Sequence, residues 1–159
     1  MESWKTAMQR GLLSGSTASV LSTLALAVAG QRETGSMVAP TNAISHWIWG
    51  DKAARRDAPS LRYTLVGYAI HHASATFWAV LFERVMGGRL DKKDLPTTLA
   101  ASAAASAVAC FTDYQLTPKR LQPGYEKRLS TSALALVYGA FALGLAAGAI
   151  ANRRARQTA

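Results

Sequence analysis

The sequence predicts an all-α integral membrane protein: a bundle of four transmembrane helices with one short interfacial helix in the first loop. Two observations carry this reading. The 159 residues include 27 Lys, Arg, Asp and Glu, and all of them fall outside four windows, 11–30, 63–82, 95–112 and 129–152. Each window runs 18 to 24 residues without a formal charge, and a helix crossing about 30 Å of hydrocarbon needs roughly 17–25 such residues. A soluble Ala-rich bundle would instead carry charges every three or four positions along each helix.

Mean hydropathy is only +0.07, because the windows are built from Ala, Ser, Thr and Gly; alanine alone supplies 31 residues. Small side chains let helix backbones approach closely, so such spans are suited to helix–helix contact. The net charge of +9 does not point to nucleic acid. The basic residues are spread over both tails and all three loops, and no basic helix interleaves aromatics for base stacking. They flank the spans, where they meet lipid headgroups and set orientation. The expected partner is therefore the lipid bilayer, with no nucleic acid.

The first span is read at 11–30. Lys5 and Arg10 precede an apolar run ending Ala27-Val28-Ala29, which has the outline of a secretory signal. Gly15, Ser16, Thr17, Ser19, Ser22 and Thr23 interrupt that run, which favours a retained span. Gly11 and Gly15 form a GxxxG pattern for helix packing.

The loop 31–62 contains Pro40-Thr41-Asn42, a helix-start signal with Thr41 or Asn42 as N-cap. A helix over 41–49 follows, ended by Gly50. It covers only about 14 Å, too short to span. Ile44, Trp47 and Ile48 share a face, and the segment is expected to lie flat at the membrane surface with Trp47 and Trp49 at headgroup level.

The second span is read at 63–86, with Gly87 and Gly88 closing it. Tyr68, His72, Thr76 and Glu83 recur along one helix face with Ala79 among them, opposite Ile70, Phe77, Leu81 and Val85. Asp94 is a natural N-cap for the third span, 95–116, with Pro96 tolerated in the first turn. Ser102, Ser106, Ala109 and Asp113 share a face there, and this helix is expected to be the most enclosed. Gln122-Pro123-Gly124-Tyr125 is a type II turn signal. The fourth span is read at 129–152 and carries a second GxxxG at Gly144 and Gly148. Short loops make the second and third, and the third and fourth, spans antiparallel neighbours.

Ionisable residues inside spans are functional candidates because they are costly to place there. Tyr68, His72, Thr76, Glu83 and Asp113 are the candidate ligand or ion positions. His46, His71 and His72 are the candidates for haem or a metal ion, although no CxxCH, HxxxH or HExxH spacing supports either. Asp113 is expected to reach water or meet Lys119 or Arg120. Together, His46, Tyr68, one of the tandem histidines and Asp113 are expected around a cleft at one membrane face. P-loop, GxGxxG and GxSxG signatures are absent.

Three functions are compatible with these features. The first is a non-enzymatic accessory or scaffold protein in a homo-oligomer or membrane complex, joined through small-residue faces. The second is an ion, proton or small-ligand binding or transport module using the polar stripe of the second span. The third is a haem or metal protein. The expected location is a bacterial cytoplasmic (inner) membrane. Basic residues divide nine against nine between the two faces, and the short second loop and Arg-rich tail place both termini in the cytoplasm.

Overall fold

The computed structural model describes residues 1–158. Among them 84% are helical and none forms a strand. Four helices are long and apolar enough to cross a membrane. They are α1 (Trp4–Thr34), α4 (Leu61–Leu90), α5 (Leu95–Leu116) and α6 (Thr131–Gln157). Two short helices, α2 (Ala39–Ile44) and α3 (His46–Trp49), lie in the first loop.

The helices begin where side chains can take up free backbone N–H groups. Ser3, Ser60, Asp94 and Ser130 accept from Thr6, Tyr63, Thr97 and Ala133 respectively. All four long helices reach beyond their charge-free windows. Thus α1 continues past Gly30 to Thr34, and Gly35 ends it in the left-handed conformation with φ 73°. Gly30 is small for a different reason, since Pro40 packs where a side chain would stand.

The helix expected to close at Gly87 and Gly88 instead runs on to Leu90 through a π-helical turn, Glu83–Gly87. At Gly87 a Cβ would meet Glu83 Oε2 at 2.5 Å and Arg10 Nε at 3.0 Å. The glycine therefore makes room for an ion pair rather than ending a helix.

Neighbour relations are not those of chain order. The central helix is α1, packed against α6 on one side and α4 on the other, and α5 rests on α6. The row is thus α4–α1–α6–α5, with each adjacent pair antiparallel. Both GxxxG patterns are used inside the chain. A Cβ at Gly144 or Gly148 would run into the backbone of Ala18 or Ser14, and one at Gly11 or Gly15 into that of Val80 or Thr76. These four glycines draw α6 and α4 onto α1, so they are not a free face for a second copy.

The α4 and α5 helices, though joined by a tight loop, scarcely touch. Nor is α5 the most enclosed helix. Its Thr98, Ser102, Ser106 and Ala109 face is buried as the spacing implies, and Ser106 Oγ donates to Tyr138 O at 2.7 Å. Leu99, Val108 and Phe111 are exposed. An end position in the row leaves an alanine-rich helix with one covered face.

The first loop also departs from expectation. The 41–49 helix is divided at Ser45, and residues 39–46 are buried. Asn42 is not a cap: its Nδ2 donates to Arg56 O and Ala58 O, and its Oδ1 accepts from Thr64. Those bonds fold the loop back over α4, where Gly67 packs directly on the Thr41 carbonyl. Ile44 joins the core beside Leu26, Tyr125 and Leu129. The segment is a plug over one end of the bundle, and only Ile48, 56% exposed, keeps the outward place expected of it.

Candidate functional site

The separation of α4 from α5 leaves a groove of about 440 Å³. Its sides are Ile70, Phe77 and Trp78 from α4 and Ala109 and Thr112 from α5, and its floor includes Val137 and Phe141 of α6. Trp47, Pro123 and Tyr125 from the two loops close the end remote from the termini. This volume is in the range of small-molecule sites, about 300–1,000 Å³, and the lining has their usual character, apolar with few polar groups.

Those polar groups gather at the loop end. Asp113 lies in a second π-helical turn, Thr112–Leu116. The Tyr138 hydroxyl donates to its Oδ2 at 2.6 Å. The other oxygen, Oδ1, takes no protein hydrogen bond among the described residues. The expected pairing with Lys119 or Arg120 does not occur, because Arg120 reaches instead to the Trp47 carbonyl. Around this carboxylate the rings of Tyr114 and Tyr125 stand 6.2 and 6.5 Å from that of Tyr138. Tyr125 is 4% exposed, and burial pushes its phenol above the usual range, so it stays a neutral hydrogen-bonding group.

His71 enters from α4. Its Nε2 is 2.8 Å from Ser22 Oγ on α1, and its ring meets Tyr125 edge-on at 6.5 Å. Ser22 has one hydroxyl proton, directed to the Ala18 carbonyl at 2.7 Å. With that proton on Ala18 the serine accepts from His71, which puts the proton of a neutral ring on Nε2 and leaves Nδ1 an acceptor.

The other sequence candidates lie elsewhere. Tyr68, His72, Thr76 and Glu83 do not line the groove. Thr76 packs on Gly15, and Tyr68 and His72 contact each other at 5.9 Å between ring centroids. His72 Nδ1 and Thr76 Oγ1 are buried without a hydrogen-bond partner. Glu83, at 0% exposure, is held by Arg10 Nε at 2.6 Å, by Ser14 Oγ and by Asn152 Nδ2. Arg10 also donates to Asp91 and to the Gly87 carbonyl. The polar face of α4 is thus present, and through Thr76 and Glu83 it joins α4 to α1.

His46 is folded into the loop plug, where its Nδ1–H donates to the Ala43 carbonyl at 3.0 Å. Gly124 lies against the ring: with φ 97° it takes the left-handed place that a type II turn requires, and a Cβ there would stand 2.5 Å from Nδ1. His46, His71 and His72 therefore face three different surroundings. Adjacent helical residues diverge by about 100°, which separates the last two. Among the described residues no three His, Cys, Asp or Glu side chains are placed to hold a metal ion.

Of the expected cleft, the structure brings together His71 and Asp113, and leaves out His46, Tyr68 and His72. Sequence reasoning missed Tyr138, Ser22 and Trp78. Tyr138 had a signal, as the single tyrosine of the fourth charge-free window, since a partly buried carboxylate needs a donor. No family model, curated protein or solved structure matches the chain.

Proposed function

We propose that the protein is a non-enzymatic, membrane-embedded small-ligand-binding module whose site is the groove between α4 and α5. One observation carries the reading: two helices joined by a tight loop stand apart over a 440 Å³ apolar groove whose polar groups converge at one end. A groove between helices of a bundle is a usual place for a ligand. The bound molecule would lie with its apolar body along Phe77, Trp78 and Phe141 and its polar end beside Asp113 and His71. The protein would reside in a bacterial cytoplasmic membrane with both termini on the cytoplasmic side, in keeping with its Arg-rich tail.

Native mass spectrometry of the full chain in a neutral maltoside detergent tests this with dodecanol as probe. A saturable one-to-one adduct is expected for the wild type. It is lost when the groove is filled from either wall by Ser74→Phe or Thr112→Phe. No saturable adduct, or equal adducts on wild type and both filled variants, would overturn the reading.

A further inference from the structure

The ligand class follows from which atoms of the groove still lack a partner, and this step rests on the groove being a ligand site. Two of its polar side chains present acceptors. Asp113 Oδ1 takes no hydrogen bond from the protein, and its other oxygen is already served by Tyr138. His71 has its proton on the Ser22 side and leaves Nδ1 bare. These two acceptors favour a molecule that brings donors.

Charge narrows the choice further. Among the described residues Asp113 has no cationic partner within 4 Å, although the chain carries +9. Of the third-loop cations, Lys127 pairs with Asp51, Arg128 with Asp57 and Arg120 with the Trp47 carbonyl, and Lys119 makes no ion pair with Asp113. An unpaired carboxylate at membrane depth is costly and persists where a cation meets it. Aromatic groups at this end of the groove, Tyr125, Tyr138 and Trp47, offer π faces, which attract cations in a desolvated site.

We propose that the groove takes a lipophilic organic cation, an ammonium head on Asp113 and His71 with an apolar tail between α4 and α5. Carboxylate, bare imidazole nitrogen and aromatic walls together recognise N–H donors bearing positive charge. A neutral alcohol satisfies the acceptors without the charge. A carboxylate head brings like charge to Asp113.

The test compares three probes with one tail, dodecylammonium, dodecanol and dodecanoate, titrated onto the full chain in neutral maltoside and read by native mass spectrometry. The expected order of affinity is ammonium, alcohol, carboxylate. Asp113→Asn keeps an acceptor for Tyr138 and removes the charge. It should lower the ammonium-over-alcohol preference by about ten- to a hundredfold, the size of one charge-assisted hydrogen bond, and leave alcohol binding in place. Should Asp113→Asn not fold, the ranking of the three heads by the wild type decides alone. Adducts that are lost in Ser74→Phe but show no preference for ammonium overturn the cation assignment and leave the groove standing. So does an ammonium preference that survives Asp113→Asn. No saturable adduct with any probe overturns both.

Discussion

Arg10 and Glu83, 73 positions apart, meet Nε to Oε2 at 2.6 Å, and the glutamate has no exposed side-chain surface. This contact ties the start of α1 to the end of α4. Removing Arg10 leaves Glu83 an uncompensated buried charge, at a cost of about 3–5 kcal/mol, whereas removing Glu83 leaves Arg10 on Asp91. Arg10→Ala should therefore strongly lower the midpoint of unfolding in mixed detergent micelles, and Glu83→Ala should lower it less. The double replacement Arg10→Met with Glu83→Met should recover much of the loss, because an apolar pair leaves no charge unpaired. A double mutant no better than the worse single would show that the network's other members, Ser14, Asn152 and Asp91, dominate.

The glycines of α6 differ sharply in their surroundings. Gly144 faces the backbone of Ala18, whereas nothing lies within 4 Å of a Cβ built on Gly139. Gly144→Ala forces α1 and α6 apart and should cost about 1–3 kcal/mol, the range for overpacking. Gly139→Ala should be neutral or stabilising by up to about 1 kcal/mol, the helix-propensity gain. Parallel thermal unfolding of the two variants checks the contrast.

The proton placement on His71 is open to spectroscopy. Nitrogen-15 NMR of histidine-labelled protein should show a neutral ring with its proton on Nε2. Ser22→Ala removes the acceptor and should shift that signal, while His46, which donates through Nδ1, keeps its own tautomer. A His71 signal with the proton on Nδ1 would reverse the donor and acceptor roles assigned to the groove.

Asp91 links the loop after α4 to both Arg10 and Arg156. Partial burial raises its pKa, but the hydrogen bonds and charge of the two arginines outweigh burial and hold it below the usual carboxylate range. A group whose pKa is depressed by folding stabilises the fold above its unfolded pKa, about 4. That contribution disappears as pH falls below 4 through the folded value. The unfolding midpoint should accordingly drop between about pH 4 and lower pH. Asp91→Asn should be less stable at neutral pH and show a shallower acid decline.

The four spans were readable because charge is excluded from hydrocarbon, and that exclusion leaves a plain trace in the sequence. Their order across the bundle left no such trace. Alanine-rich helices have little difference between faces, so nothing in α5 told a central position from a terminal one. The windows also set the helix ends too short. Arg10 stands just outside the first window and reads as a flanking charge, yet α1 begins at Trp4 and carries it into the protein. Asp113 was visible as an ionisable residue in a span, and its face on α5 was correct. Its partner Tyr138 lies on another helix, and that pairing depends on how α5 and α6 rotate against each other. The acceptor state of His71 depends likewise on Ser22, 49 positions away.

The central place of α1 has a consequence for how the chain is built. Although α1 precedes α6 by the whole of α4 and α5, its largest contact is with α6. Its buried arginine waits for Glu83, and its Ser14 and Ala18 surface stays open until Gly148 and Gly144 arrive. Until α6 is made, α1 can pair only with α4, and its α6-facing surface is uncovered. A product truncated before α6 would therefore leave the Ser14 and Ala18 surface of α1 uncovered.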